Sequence, residues 1–236
     1  MNIFIDTASG GGGGPDPDFS SVVLLLPMTG TDGSTTFVDE SNSAHSVTAV
    51  GNAQVSDDTA PFGDEAALFD GTGDYLLIPT STDFDFGSGL ATVEGWIYIT
   101  AIPAAAQPIY SNMNNFESVG FHIWIDNNAQ LQCYAAGATG GSVSSLDVPR
   151  NAWVHWAVTK NGAAYAFWVG GASAGGSTVS SSTIPASTRD LKLGSAEPFF
   201  IASSYFDGRL GPIRVTKGVV RYTGAFTPPT AHFPNS

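Results

Sequence analysis

Glu94 is the residue that sequence context places best for acid or base chemistry. It lies in Ala91–Ile99, where Val93, Gly95, Ile97 and Ile99 alternate with Thr92, Glu94, Trp96 and Tyr98. That period of two predicts a strand. Glycoside hydrolysis needs two carboxylates roughly 5–10 Å apart across the scissile bond. No second carboxylate follows Glu94 on its strand, and Asp83 and Asp85, which share a face by spacing, fall in the turn-rich Thr82–Phe86. Glu94 is therefore expected to hydrogen-bond within its own sheet face, and hydrolysis is the weakest functional reading.

The other candidate groups are dispersed. His45, His122, His155 and His232 are isolated, and no pair of them has zinc spacing; they read as structural residues, and no Ser–His–Asp triad is expected. Cys133, beside Tyr134 in an apolar stretch, reads as a small buried hydrophobe. Trp96, Trp124, Trp153, Trp156 and Trp168 fall in predicted strands and are expected mostly in the core. Tyr110, Phe116, Tyr205 and Tyr222 read as loop aromatics. Asn112, Asn114 and Asn115 make a polar cluster in a loop between strands, a candidate glycan-binding loop, because sugars are held by aromatic platforms and planar polar groups. The residues proposed for that role are Tyr110, Asn112, Asn114 and Asn115.

Composition sets the frame for these groups. The 236 residues include 28 Gly and 14 Pro, with 42% hydrophobic and only 12% charged residues. Gly and Pro punctuate short elements, so this is a strand-and-turn composition. The length fits one large all-β domain, or a domain with a short arm, able to fold without metal or disulfide. The net charge of −13 argues against nucleic acid as a partner, since phosphate recognition needs Lys and Arg. A single cysteine excludes an internal disulfide. The start MNIFIDTASG lacks the basic region and long apolar run of a Sec-type signal peptide. The longest apolar run, Val22–Leu26, is too short to span a bilayer, so no membrane partner is expected.

Residues 1–20 read as an arm. Asn2, Ile3, Phe4 and Ile5 could form a short strand, and Gly10–Gly14 followed by Pro15-Asp16-Pro17-Asp18 makes a linker. From Ser21 the chain reads as about a dozen short strands. Clear cases are Val22–Leu26, Ala66–Phe69, Tyr75–Ile78, Phe121–Ile125 with Gln130–Ala135, Trp153–Thr159 with Ala163–Val169 around Asn161-Gly162, Leu191–Leu193 and Gly211–Val215. Thr36–Asp39, Val47–Val50 and Ala53–Val55 are further candidates. No helical periodicity and no internal repeat interrupts them. The pattern predicts a β-sandwich or jelly roll of two antiparallel sheets.

Four stretches, in order, carry a resemblance: ALFDGTGDYLLIP, FDFGSGLATVEGWIYI, WVHWAVTKNG and FDGRLGPIRVTKGVVRYTGAFTPP. They are similar to motifs of the concanavalin A-like lectin/glucanase superfamily, and most closely to the laminin G-like jelly rolls common in phage virion proteins. The resemblance spans roughly Ser21 to Phe233. It implies a jelly roll with an extended N-terminal arm: residues 1–20 as anchor and 21–236 as the domain, closed by a Pro-rich strap. It implies no catalytic residues, because the glucanase branch places its acids two to four residues apart on one strand face. It also implies a calcium where an Asp-x-Ser turn meets an acid of the last strand. Asp39, Ser41 and Asn42 match the turn, with Asp39 the candidate ligand. Gly211-Pro212 stands where the family has the acid, which predicts stability nearly independent of calcium.

Half of the eight Lys and Arg, namely Arg209, Arg214, Lys217 and Arg221, fall beside the Pro-rich end. Two expectations compete: they offset nearby carboxylates while the tail seals a sheet, or they form a basic docking patch. Together with Asn2–Ile5 they are the candidate assembly residues. The functional expectation is a non-enzymatic phage virion surface protein: a capsid decoration protein, head fibre or tail-associated protein. It would be made in the host cytoplasm and released by lysis, with other virion proteins and further copies of itself as partners. The alternative is an adhesin module binding cell-surface glycans.

Overall fold

The computed structural model describes residues 14–113, 119–136, 142–178, 182–196 and 205–236. Its strands are β1 (Val22–Leu26), β2 (Thr48–Val50), β3 (Gln54–Ser56), β4 (Ala66–Asp70), β5 (Tyr75–Ile78), β6 (Leu90–Tyr98), β7 (Gln107–Ser111) and β8 (Phe121–Ile125). They continue with β9 (Gln130–Ala135), β10 (Ser142–Asp147), β11 (Val154–Asn161), β12 (Ala164–Val169), β13 (Ala172–Thr178), β14 (Leu191–Leu193) and β15 (Asp207–Lys217). One antiparallel sheet runs β13-β12-β11-β6-β15-β4-β3, with β1 also paired to β15. The other runs β10-β9-β8-β7-β14-β5-β2. Half of the neighbours in these orders are non-consecutive, crossing from one part of the chain to another as in a jelly-roll sandwich.

Alternation decides what each sheet buries. Val93 and Ile97 of β6, Phe167 of β12, Val215 of β15, and Ile123 and Ile125 of β8 all enter one continuous core. Trp156 and Tyr110 are its largest wholly buried aromatics, with Phe69, Phe121 and Phe206 among the next. Cys133 is buried and unbridged within it.

β6 lies between β11 and β15, and its opposite face also avoids water: Thr92 and Glu94 are fully buried. A sandwich face turned away from the core is normally wet, so something covers this one. The cover is the chain's own two ends. Phe19 packs on Val22, Leu25 and Phe233. Tyr222 and Phe226 pack on Ala157 and Trp168.

Several sequence expectations are corrected. β7, β10 and β13 were not expected; Pro108 masks the first, and the Ser- and Gly-rich SVSSLD and ASAGGST mask the others. Thr36–Asp39 is not a strand, and β15 starts at Asp207 rather than Gly211. Asn161 pairs with Ala164, so the hairpin turn centres on Gly162-Ala163.

The arm boundary at residue 20 is also corrected. Asp16 is buried, its N–H donates to the Ser236 carbonyl at 2.8 Å, and Phe19 joins the apolar cover. Residues 16–20 thus belong to the folded sandwich. Asn2, Ile3, Phe4 and Ile5 lie outside the described residues.

Candidate functional site

The outer face of β6, β11 and β15 is organised by charge. Antiparallel register sets Arg214 of β15 directly across from Glu94 of β6. Arg214 donates from Nε to Glu94 Oε1 at 2.9 Å, and its Nη2 lies 2.8 Å from the same oxygen. Its Nη1 reaches Asp16 at 2.9 Å. Arg221 grips both oxygens of Asp16, at 3.1 and 2.8 Å. The second oxygen of Glu94 accepts from the Tyr222 hydroxyl at 2.6 Å and lies 3.2 Å from His155 Nε2. Two guanidiniums thus balance two carboxylates in a water-poor site, the arrangement that makes burial of charge tolerable.

Protonation follows from this geometry. Burial alone would raise the Glu94 pKa, but Arg214, His155 and Arg221 together hold it well below the usual carboxylate range. Burial and the neighbouring Glu94 push the Tyr222 hydroxyl well above its ordinary value. Tyr222 therefore stays a neutral donor and Glu94 a fixed acceptor. A general acid or nucleophile must instead reach a substrate with an uncommitted oxygen, and both oxygens of Glu94 are engaged by the chain.

The strap is fitted to this cluster. Thr92 donates to the Val219 carbonyl at 3.0 Å and accepts from the Arg221 N–H at 3.0 Å. Gly171, at φ +77°, lets the strap approach: a Cβ there would lie 2.0 Å from the Phe226 carbonyl oxygen. Tyr222 and Phe226 stack at 3.6 Å, and Phe233 lies over the Arg214 guanidinium at 4.2 Å.

The predicted site residues scatter. Tyr110 is not a loop aromatic; it is wholly buried in β7. Asn112 is buried too, its Oδ1 accepting from the Phe121 N–H at 2.8 Å and its Nδ2 donating to the Phe84 carbonyl at 3.4 Å. A glycan platform made of these two is corrected, because their polar atoms close a strand junction. Asn114, Asn115 and Phe116 lie outside the described residues. Tyr222 is likewise buried rather than free.

The basic residues do not form an open docking patch. Arg214 and Arg221 are buried in the cluster, Arg209 pairs with Asp58 at 3.0 Å, and Lys217 donates to the Thr82 carbonyl at 2.5 Å. Their chain neighbours consume the charge that would meet a partner. The cluster's acidic members, Glu94 and Asp16, were not linked to these cations from sequence. The Glu94–Arg214 pair follows from the register of β6 against β15, which only the fold supplies.

Asp39 serves the backbone. Its Oδ1 accepts from Leu25 N–H and Ser41 N–H, both at 2.9 Å; its Oδ2 accepts from Ser41 Oγ at 3.0 Å and His45 N–H at 2.8 Å. This is an Asx-type turn that ties the loop to β1. At Gly211-Pro212 the last strand bulges, and a Cβ on Gly211 would meet Pro61 and Trp96 at 2.9 Å. No carboxylate can stand there unless those neighbours move. Among the described residues no three His, Cys, Asp or Glu gather as ligands. The donor set does not fit the calcium that the family resemblance implies.

Gly171–Gly175 has the spacing of a nucleophile elbow, Gly-x-Ser-x-Gly. Ser173 nonetheless lies inside the edge strand β13, paired with Trp168, and the strand-turn-helix context that exposes such a serine is missing.

One open concavity borders the sealed face, a groove of about 330 Å³ between β1 and the C-terminal tail. Leu25, Pro212 and Phe233 line it on the apolar side; Glu40, Asp64, His232 and Asn235 supply its polar groups. His232 Nε2 contacts Asp64 Oδ2, and Asn235 Nδ2 donates to Glu40 Oε2 at 2.9 Å. Phe62 stands edge-on to both His232 and Trp96, at 5.1 and 5.4 Å.

Comparison with known proteins agrees with this architecture. The chain is similar to domain 4 of AbnA, an extracellular arabinanase of Geobacillus stearothermophilus solved with arabinotriose. The TM-score is 0.60 at 12% identity, over 85% of this chain and 95% of that one. It is similar to the binding domain of Paraclostridial Mosquitocidal Protein 1, at TM-score 0.65 and 14% identity, over 86% of this chain and 50% of that one. It also resembles a Trypanosoma rangeli sialidase, at TM-score 0.59 and 17% identity, over 86% of this chain but 31% of that one. No curated protein matches the chain by sequence. The family model for laminin G-like domains of the concanavalin A-like lectin/glucanases superfamily matches residues 70–221, and with that match over most of the chain the protein belongs to this family.

Proposed function

We propose that this chain is a non-enzymatic surface module of a phage particle, a capsid decoration, head fibre or tail-associated protein. The observation that carries the non-enzymatic part is the state of Glu94: buried, paired with Arg214, and roofed by the chain's own strap. The particle assignment rests on the order of the four sequence motifs and on the glycine-rich segment ahead of Asp16. The test is fractionation of a lysate on a density gradient with antibody detection. The chain is expected to band with intact particles, and finding it only in the unsedimented fraction would overturn the assignment.

A second reading, a carbohydrate-binding adhesin module, is favoured by the open groove with its carboxylates and amide. The AbnA domain solved with arabinotriose shows the same fold in a protein crystallised with a sugar. A glycan array probed with residues 14–236 tests this reading directly.

A further inference from the structure

The groove between β1 and the C-terminal tail differs from the sealed face beside it in how its acids are met. On that face the fold answers carboxylates with guanidiniums: Asp16 and Glu94 with Arg214 and Arg221, and Asp58 with Arg209. In the groove the Glu40 carboxylate receives the Asn235 amide and the Asp64 carboxylate meets the His232 ring; among the described residues neither has a Lys or Arg partner. An amide hydrogen bond orients a carboxylate and removes none of its charge, and an imidazole carries charge only when protonated. Arg214, against Phe233, is already balanced by Glu94 and Asp16.

The rest of the lining is apolar: Leu25, Pro27, Pro212 and Phe233. The volume, about 330 Å³, is at the lower end of small-molecule sites, which run from about 300 to 1,000 Å³. Apolar walls with anionic groups at the opening suit a Lys or Arg side chain, which lays its methylenes on apolar surface and keeps its charged head at the wet end. Glu40 is exposed and Asp64 half-buried. The bond to Asn235 uses Glu40 Oε2, so a cation can meet Oε1 with the tail in place.

We propose that this groove seats one Lys or Arg side chain of a partner protein. No Lys or Arg lines the groove, so a carboxylate or phosphate ligand would meet repulsion. A bare metal ion would need more oxygens than these two acids provide. The net charge of −13 adds a long-range pull on a basic partner. The partner is a different protein, because this chain is a poor source of the cation: of its eight Lys and Arg, Lys160, Arg209, Arg214, Lys217 and Arg221 are bonded within the fold. The inference deepens the particle-surface reading, on which it rests for the existence of a protein partner.

The experiment is an NMR titration of the full chain with N-acetyl-lysine methylamide and N-acetyl-arginine methylamide. The norleucine and glutamate analogues and arabinose serve as controls. The Asn235 side-chain amide and the Thr29 backbone amide are the reporters. At least one basic amide is expected to shift both saturably, with a Kd on the order of millimolar that weakens as salt is raised. The norleucine and glutamate analogues should leave both unmoved. Affinity should fall about threefold in Glu40→Gln and about tenfold when Asp64→Asn is added. Gln keeps an acceptor for Asn235 and position 40 is exposed, so the single variant keeps the test valid even if the double variant folds poorly.

Equal shifts with the norleucine and lysine analogues would overturn the proposal and make the groove an apolar cleft. Saturation by arabinose without a response to either basic amide would overturn it in favour of the carbohydrate reading. No shift with any probe, or unchanged affinity in both variants, overturns it as well. Self-association of the chain that Glu40→Gln abolishes in sedimentation would put a second copy in the groove and refute the foreign partner. The lysate gradient separates this inference from the reading it rests on. Wild-type chain that bands with particles beside an unresponsive groove refutes the groove alone. A responsive groove in a chain that bands with nothing refutes the particle reading and leaves the seat for a basic side chain standing.

Discussion

Substitution of Asp16 by Asn gives the sharpest test of how the outer face is held. The change keeps the shape of the side chain and removes one negative charge from a site where Asp16, Arg214 and Arg221 have side-chain exposures of only 3%, 7% and 10%. Two guanidiniums then share a single carboxylate, Glu94. Breaking a buried ion pair by removing one partner costs about 3–5 kcal/mol. Arg214 keeps its bonds to Glu94 and Arg221 can turn toward solvent, so the low end applies, about 3 kcal/mol. For a domain of this size each kcal/mol shifts Tm by about 2–4 °C, giving a fall of about 6–12 °C. The assay is urea unfolding paired with calorimetry, in which the midpoint should fall with the slope unchanged. Asp18→Asn, at a half-exposed position two residues on, should change stability by less than about 0.5 kcal/mol. Deleting residues 2–14 should be neutral, while deleting 2–18 should match Asp16→Asn. A loss below about 1 kcal/mol in the Asn variant, or equal losses from both deletions, would refute the ionic tie between the first folded residues and the strap.

Three further outcomes follow from the same geometry. Glu94→Gln should destabilise by about 2–4 kcal/mol, through the loss of charge opposite Arg214, and should change no β-glucan hydrolysis; a glucanase activity abolished by this variant would show the cluster to be catalytic. A chelator should move Tm by less than about 5 °C, about 1–2.5 kcal/mol here, because Asp39 already serves four chain donors; a larger fall in calorimetry would place a cation in the fold. Burial pushes the His122 pKa down to about 4 from its ordinary value of 6.5, so between those values the unfolded chain binds the extra proton. Stability should therefore be full above about pH 6.5 and decline as pH falls toward 4, by about 3 kcal/mol in all. Below that the depressed Glu94 pKa adds a further loss as this carboxylate is protonated, and urea midpoints at pH 7.5 and 4.5 that agree would refute the assignment.

The sequence by itself determined the sandwich and most of its strands. Ala91–Ile99 and Phe121–Ile125 alternate because one face must leave water, and that requirement is local and periodic. The family motifs likewise lie in continuous stretches, so they could be read without the fold. Strands such as Ala172–Thr178 escaped notice because small, uncharged residues at a sheet edge carry no burial pattern. Tyr110 and Asn112 were misplaced for a related reason: a loop-like sequence, Tyr110-Ser111-Asn112, says nothing of the neighbouring chain that buries it. The clustering of Arg214 and Arg221 near the end was visible, but their partners were not. Asp16 is separated from Arg214 and Arg221 by 198 and 205 residues and Glu94 from Arg214 by 120. Only the antiparallel register of β15 against β6, and the return of both chain ends over that sheet, brings these four charges together. Charge pairing in a low-dielectric site depends on distances of a few ångströms, and those are set by tertiary structure. The same return of the tail creates the groove, since Asp64 and His232, or Glu40 and Asn235, share no sequence neighbourhood and meet only when the strap is in place.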